Sequence, residues 1–260
     1  MCAATSTIRA LLGALIALCA EAGAVQAAEC RGMDHAGSTF TVCEVDAAQS
    51  DLRLFLRDPE TGQPLGSFDN VDRMLARSGH RLGVAMNAGM YHPDRRPVGL
   101  YIEDGRKIAG LVETAGPGNF GLLPNGVFCI RKGRADVMET RRFARERPAC
   151  RHATQSGPML VIDGALHPRF LRESDSRFIR NGLGSSEDGR RVVLAISETP
   201  VNFHDFATLF RDVLDLPQAL YLDGNISRLH APGLNRHDGG FPMGPILGTV
   251  VPADDQTAPD

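Results

Sequence analysis

Four Asx-Gly dipeptides, Asp104-Gly105, Asn125-Gly126, Asp163-Gly164 and Asp188-Gly189, each stand between two apolar runs. Such pairs tolerate the positive φ of tight hairpin turns, so each marks a place where one strand doubles back on its neighbour. Four turns of this kind predict a largely antiparallel sheet. The sequence around them adds detail. Segments 39–46 and 51–57 alternate, with Leu52, Leu54 and Leu56 against Arg53, Phe55 and Arg57, and are expected to pair with each other. From 70 to 78 the spacing turns helical, with Val71, Met74 and Leu75 on one side and Gly79 as a stop, and 82–86 follows as a buried strand. Asn202 is placed to cap a helix over 203–214 whose Phe206, Leu209, Phe210 and Val213 share a face, and Pro217 bars its continuation. That helix lies between apolar strands at 192–196 and 219–222, and strand, helix, strand suggests a crossover. The predicted fold is α+β: a single domain with a mixed, largely antiparallel twisted sheet and a few helices.

The ends of the chain follow another logic. Arg9 precedes an apolar stretch from Ala10 to Ala20 and then small residues, with Val25 and Ala27 suited to the −3 and −1 positions of a signal-peptide cut. Residues 1–27 are therefore read as a signal peptide, 28–251 as the domain and the acidic segment 252–260 as a flexible tail. The leader's apolar run is too short for a stable membrane span. No lipobox is present, because Leu18 precedes Cys19 and Glu29 precedes Cys30. Cys30, Cys43, Cys129 and Cys150 remain after cleavage, an even number that fits an oxidising compartment. Three pairings are open, of which the local ones, Cys30 with Cys43 and Cys129 with Cys150, are favoured. The expected location is periplasmic or secreted. A net charge of −3 without long runs of one sign argues against nucleic acid or an anionic membrane as partner and favours a small ligand.

Chemistry is expected where polar residues and glycines end apolar strands. Asn87 can donate to and accept from a sugar hydroxyl, or satisfy a turn. In Gln155-Ser156-Gly157-Pro158 the serine lacks the glycine spacing of a nucleophile elbow. Gln155 and Ser156 are instead candidate hydrogen-bond donors, and Gly157 is a place where backbone can approach a ligand. Arg180, set among apolar residues and glycines, can clamp a phosphate bidentately or hold an ion pair. Glu198 ends an apolar strand and is a candidate acid or base, or a surface residue. Asp223 follows a strand that reads as buried, where desolvation shifts a carboxyl, and ranks first among the carboxylates; a simple Asp-Gly turn is the rival.

Taken in order, the segments Asn87 to Tyr91, Gly157-Pro158, Arg180 to Gly184 and Leu222 to Ser227 resemble the phosphodiester glycosidase family over roughly 82–228. They are similar to patterns of the type Asn-Gly-Gly-Phe-Phe, Gly-Pro, Arg-x-x-x-Gly and Leu-Asp-Gly-Gly-Gly-Ser, and look closest to an exported bacterial branch. Ala88 stands where the pattern has glycine, Met90 and Tyr91 stand for the aromatic pair, and Asn225-Ile226 interrupts the glycine run. The resemblance implies an exported hydrolase that splits a sugar phosphodiester or related envelope glycoconjugate and releases free sugar. In that reading Asp223 and Glu198 are catalytic, Arg180 holds phosphate, Asn87 and Gln155 orient hydroxyls, and Ser156, Gly157, Gly224 and Asn225 complete the substrate contacts. No cofactor is required, although Asp223 could ligate a divalent metal. The alternative is an envelope protein that binds glycans or cell-wall polymers without turning them over.

Overall fold

The computed structural model describes residues 28–253. The expected signal peptide, residues 1–27, and residues 254–260 of the expected tail lie outside them. The chain opens with β1 (Glu29–His35), β2 (Ser38–Asp46), β3 (Asp51–Phe55), helix α1 (Phe68–Ala76) and β4 (His80–Asn87). It continues through β5 (Tyr101–Glu103), β6 (Arg106–Ala109), β7 (Gly126–Arg131), β8 (Arg134–Glu139), helix α2 (Thr140–Glu146) and β9 (His152–Ser156). Next come β10 (Met159–Ile162), β11 (Ala165–Leu166), β12 (Asn181–Ser185), β13 (Arg191–Ser197) and helix α3 (Phe203–Thr208). The last strands are β14 (Gln218–Asp223), β15 (Leu229–Ala231), β16 (Arg236–His237) and β17 (Ile246–Pro252).

Three sheets result, in the orders β1-β2-β13-β12-β14-β10-β11, β16-β15-β4-β17-β3 and β6-β5-β9-β7-β8. Their inner faces enclose the main core, where Leu54, Met86, Phe128, Met159, Leu194 and Leu222 meet. A second core forms where α3 covers the outer face of the first sheet, packing Phe206 and Phe210 on Phe40 and Tyr221. Each fully buried side chain of this size contributes about 1.5–3 kcal/mol of transfer free energy. The α+β class and the antiparallel character hold.

Several local expectations change. Strands β13 and β14 run in the same direction, as the crossover requires, but β12 lies between them and pairs antiparallel with both. Every described ladder is therefore antiparallel, and the mixed pairing is absent among them. Segments β2 and β3 do not pair with each other. The Asp46 side chain and carbonyl accept from Ala48 and Ser50 and turn the chain out of the first sheet, so β3 joins β17. Strand β2 pairs instead with β13 and β1, the latter in a register that sets Cys30 opposite Cys43, and the disulfide closes across that pair. Cys129 and Cys150 form the other favoured bridge.

Asp104-Gly105, Asp163-Gly164 and Asp188-Gly189 make hairpin turns, but Asn125-Gly126 does not. Asn125 is buried, its amide bonded to the Phe120 carbonyl, and Gly126 begins β7. Helix α1 is capped by Ser67, whose hydroxyl accepts from the Asn70 N–H, and Gly79 ends the turn beyond it at φ +72°. Asn202 caps α3 as expected. However, the helix continues as a π-helical turn from Leu209 to Val213, which carries one extra residue and rotates Val213 to 45% exposure, off the apolar face. Ordered chain also reaches past 251, because Pro252 closes β17 and the Ala253 N–H donates to the Gly79 carbonyl.

Candidate active site

β12 and β14 carry the site because their pairing is interrupted. Asn181 lies opposite Asp223 and Gly182 opposite Tyr221, so β14 has one extra residue, Leu222, at a bulge. Such bulges re-aim the residues beside them. Asp223 emerges at the strand end into a cleft of ≈ 550 Å³ whose walls include Tyr91, Asn119, Phe178, Tyr221 and Asn225. Its residue exposure is 8%. One carboxylate oxygen, Oδ1, accepts the N–H groups of Gly224 at 2.6 Å and Asn225 at 2.9 Å. Burial raises the Asp223 pKa, and backbone N–H groups of Asn225, Gly224 and Ile226 pull the other way. No cation lies within ion-pair distance among the described residues. The carboxyl is thus held in place while its charged form remains costly.

A buried amide pair supports this position. Asn181 Oδ1 accepts the Asp223 N–H at 3.1 Å, and Asn181 Nδ2 donates to Asn87 Oδ1 at 2.9 Å. Asn87 Nδ2 donates back to Asn181 Oδ1, and Asn87 Oδ1 also accepts the Arg228 N–H. Ser227 ties the far end of the loop by donating to the Ile179 and Asp223 carbonyls. Asn87 is fully buried and engaged in these bonds, and it lines neither the Asp223 cleft nor its neighbour. It fastens the loop and is not available to a sugar hydroxyl.

Arg180 differs more sharply from expectation. It is 1% exposed, its Nε and one terminal nitrogen donate to the Val201 and Ser176 carbonyls, and its guanidinium lies 3.7 Å from the Phe203 ring centroid. A second face meets Tyr221, with 5.4 Å from the guanidinium carbon to the ring centroid. A bidentate phosphate clamp needs an open fork, and this one is closed by carbonyls and aromatic rings. Arg180 instead backs the Tyr221 hydroxyl, whose pKa is pushed up to about 12 by burial, with Arg180 opposing and Asp223 adding to the rise. The Tyr221 hydroxyl and Arg180 Nη1 make no hydrogen bond among the described residues. Gly224 is required here, since a Cβ would overlap that hydroxyl.

Gln155 is also internal: its Oε1 accepts from Leu100 and Val112, and its Nε2 donates to Val112 and Thr140. Ser156 donates to the Leu222 carbonyl at 3.0 Å and pins the bulge from below. Gly157 makes close packing possible, because a Cβ would stand 2.6 Å from that of Asn125; its approach is to protein, not ligand. Glu198 stands in an adjoining cleft of ≈ 340 Å³ with Arg228, Arg236 and Asp238. Its Oε1 accepts from Thr41 at 2.6 Å and Arg236 at 2.5 Å. The two carboxylates therefore occupy separate clefts on either side of the 224–228 loop. Asp223, Gly224 and Asn225 are the expected site residues that face the larger cleft.

Asn181 and Tyr91 fall within the matched segments and Tyr221 directly beside one, but none of the three was assigned to the site. The strand period of two puts Tyr221 on the same face as Asp223, and an Asn opening an otherwise small and apolar strand was the available signal for Asn181. No group of three or more His, Cys, Asp or Glu side chains among the described residues is arranged to hold a metal, so Asp223 has no ready set of co-ligands.

Residues 80–240 match the model for phosphodiester glycosidase, and the chain belongs to that family. It is 38% identical over 209 residues to the Escherichia coli (strain K12) protein YigE, described as uncharacterised, covering 75% of this chain and 81% of that protein. The fold is similar to the zebrafish N-acetylglucosamine-1-phosphodiester alpha-N-acetylglucosaminidase catalytic domain, auto-inhibited by its pro-peptide, with a TM-score of 0.59 and 14% identity. That match covers 85% of this chain and 81% of the zebrafish one. A nominally exported protein of Burkholderia pseudomallei K96243 gives a TM-score of 0.56 at 12% identity, over 82% and 74% of the two chains. Two disulfides fit an oxidising compartment, and no described helix is long and apolar enough to cross a membrane.

Proposed function

We propose that this chain is an exported hydrolase that cleaves a sugar from a phosphodiester, releasing free sugar and a phosphomonoester. The observation that carries the reading is Asp223: a buried carboxyl, fixed by backbone N–H groups and without a cation in ion-pair range among the described residues, opening into a cleft of ≈ 550 Å³ within the family's matched segment. Asp223 accepts a proton from water as its oxygen attacks the anomeric carbon. The bond from that carbon to the phosphate oxygen breaks, and the phosphomonoester leaves with the electron pair. Phosphate is a good leaving group, so one carboxylate suffices and a paired acid is not demanded. Tyr221, backed by Arg180, forms a wall of the same cleft, and Asn181 with Asn87 keeps the loop that bears Asp223 in register.

No cofactor enters this scheme; a divalent ion at Asp223 is its metal-assisted variant, distinguished by sensitivity to a chelator. The experiment is release of free sugar from a panel of sugar phosphodiesters, including N-acetylglucosamine-1-phospho-sugars and teichoic-acid-like fragments, by wild type and Asp223→Ala. Turnover that disappears in the variant supports the proposal. A folded wild type that releases nothing, with or without divalent metal, turns the reading towards non-catalytic glycan binding.

A further inference from the structure

Two arginines held against the 240–242 loop, which is tied to the Asp223-cleft wall residue Tyr91, differ from the others around them. Arg236 is neutralised by Glu198 and Asp238. Arg95 and Arg228 have no carboxylate within ion-pair distance among the described residues, and each is bound only to uncharged groups. Arg95 sits at φ +69°, a conformation uncommon for a side-chain-bearing residue, and its guanidinium carbon lies 5.2 Å from the Tyr91 ring centroid. Arg95 Nη1 and the Tyr91 hydroxyl both donate to the Pro242 carbonyl, at 2.8 and 3.0 Å. Arg228 lines the neighbouring cleft, and its guanidinium rests against Gly240, where a Cβ would overlap it. Its buried Nε carries no partner.

The two cations flank a single short loop. Phe241 lies between Gly240, which receives Arg228, and Pro242, which receives Arg95, and it is 77% exposed, the most exposed large apolar side chain described. Tyr91 joins this loop to the site: it is a wall of the Asp223 cleft, and the charges of Arg95, Asp223 and Arg228 all act on it.

Building on the hydrolase reading, we infer that Arg95 and Arg228 form the phosphate-binding subsite for the leaving group, and that Phe241 between them offers a stacking face to a ring esterified to that phosphate. Guanidinium groups suit phosphate oxygens through charge-assisted, often bidentate, hydrogen bonds, and an exposed aromatic face suits the apolar face of a sugar or other ring. The subsite replaces the buried Arg180 as the anion contact.

The test uses the purified protein with Arg95→Gln, Arg228→Gln, the double variant, Arg228→Lys and Phe241→Ala, each checked by thermal melting. Binding of glucose 6-phosphate as a phosphomonoester probe is measured by calorimetry. KM is measured for two substrates with the same sugar, one esterified through phosphate to methyl and one to a hexose. The double variant is expected to bind the probe at least about tenfold more weakly and to raise KM by a similar factor for both substrates. Arg228→Lys should recover part of the Arg228→Gln loss, and Phe241→Ala should raise KM for the hexose ester alone. Unchanged probe affinity and KM in a folded double variant would overturn the subsite and leave the hydrolase reading standing. Probe binding that depends on the two arginines without turnover would support the subsite and remove the reaction. A wild type that neither binds the probe nor turns over either ester would overturn both.

Discussion

Asp223 and Glu198 both follow apolar strands of the same sheet, and the protein treats them in opposite ways. Asp223 is buried and its carboxylate is satisfied by backbone N–H groups, with no cation in ion-pair range among the described residues. Glu198 retains 36% side-chain exposure and is bound to Arg236 and Thr41. The feature that singles out both in sequence, a carboxylate at the end of an apolar run, does not decide between them. What decides is whether the surrounding fold supplies a counter-charge. Without one, burial makes ionisation costly and leaves the carboxylate reactive; with one, the charge is neutralised at the surface.

The largest expected effect breaks that contrast directly. Asp223→Asn keeps the oxygen that accepts the Gly224 and Asn225 N–H groups but removes the charge, and should lower sugar release by about 10²–10⁴-fold. Equal losses in Asp223→Asn and Glu198→Gln would erase the distinction. The next effect is on stability. Asn181→Ala removes the amide shared by Asn87, the Asp223 N–H and Ser227, leaving buried polar groups unpaired at about 1–3 kcal/mol each. A total loss of about 3–5 kcal/mol in urea denaturation is expected on that basis. A loss below about 1 kcal/mol would show that the amide pair does not hold the loop.

Glu103 sharpens the comparison away from the site. It too is substantially buried, with no ion pair among the described residues, accepts the Tyr101 hydroxyl at 3.0 Å, and is pushed up to about 7 chiefly by burial. Because the folded value lies above 4.5, the folded state binds this proton more tightly. Its stabilisation is complete below 4.5 and is lost as pH rises through about 7. Glu103→Gln should therefore gain about 1–3 kcal/mol relative to wild type at high pH compared with acid. A stability difference that does not vary with pH would show that burial does not raise this carboxyl. The smallest effect is that of Glu198→Gln on stability, about 0–1 kcal/mol by chemical denaturation, as for a partly exposed ion pair.

Much of the architecture was legible because it rests on local chemistry. Three Asp-Gly turns, the α1 stop at Gly79, the Asn202 cap and both disulfides follow from residues acting on their near neighbours. Pairing across distance was less legible: β2 and β3 alternate as hairpin strands do, yet belong to different sheets. The site divides in the same way. Asp223, Gly224 and Asn225 face the cleft because the strand ends there, which the pattern showed. Arg180, Asn87 and Gln155 carry suitable chemistry, but their hydrogen bonds are taken up by groups that sequence spacing does not bring together. Tyr221 was the converse, an apparent core residue that walls the site beside the one-residue bulge of β14 against β12.

The most direct measurement of the central claim is the pH dependence of kcat/KM for free-sugar release, compared between wild type and Glu198→Gln. Asp223 must be ionised to take a proton from water, so the rate should rise with pH through an acid limb whose midpoint lies above the ordinary aspartate value of 3.8, unchanged in Glu198→Gln. A limb that disappears or moves when Glu198 is replaced would assign the proton to the other carboxylate and contradict the account.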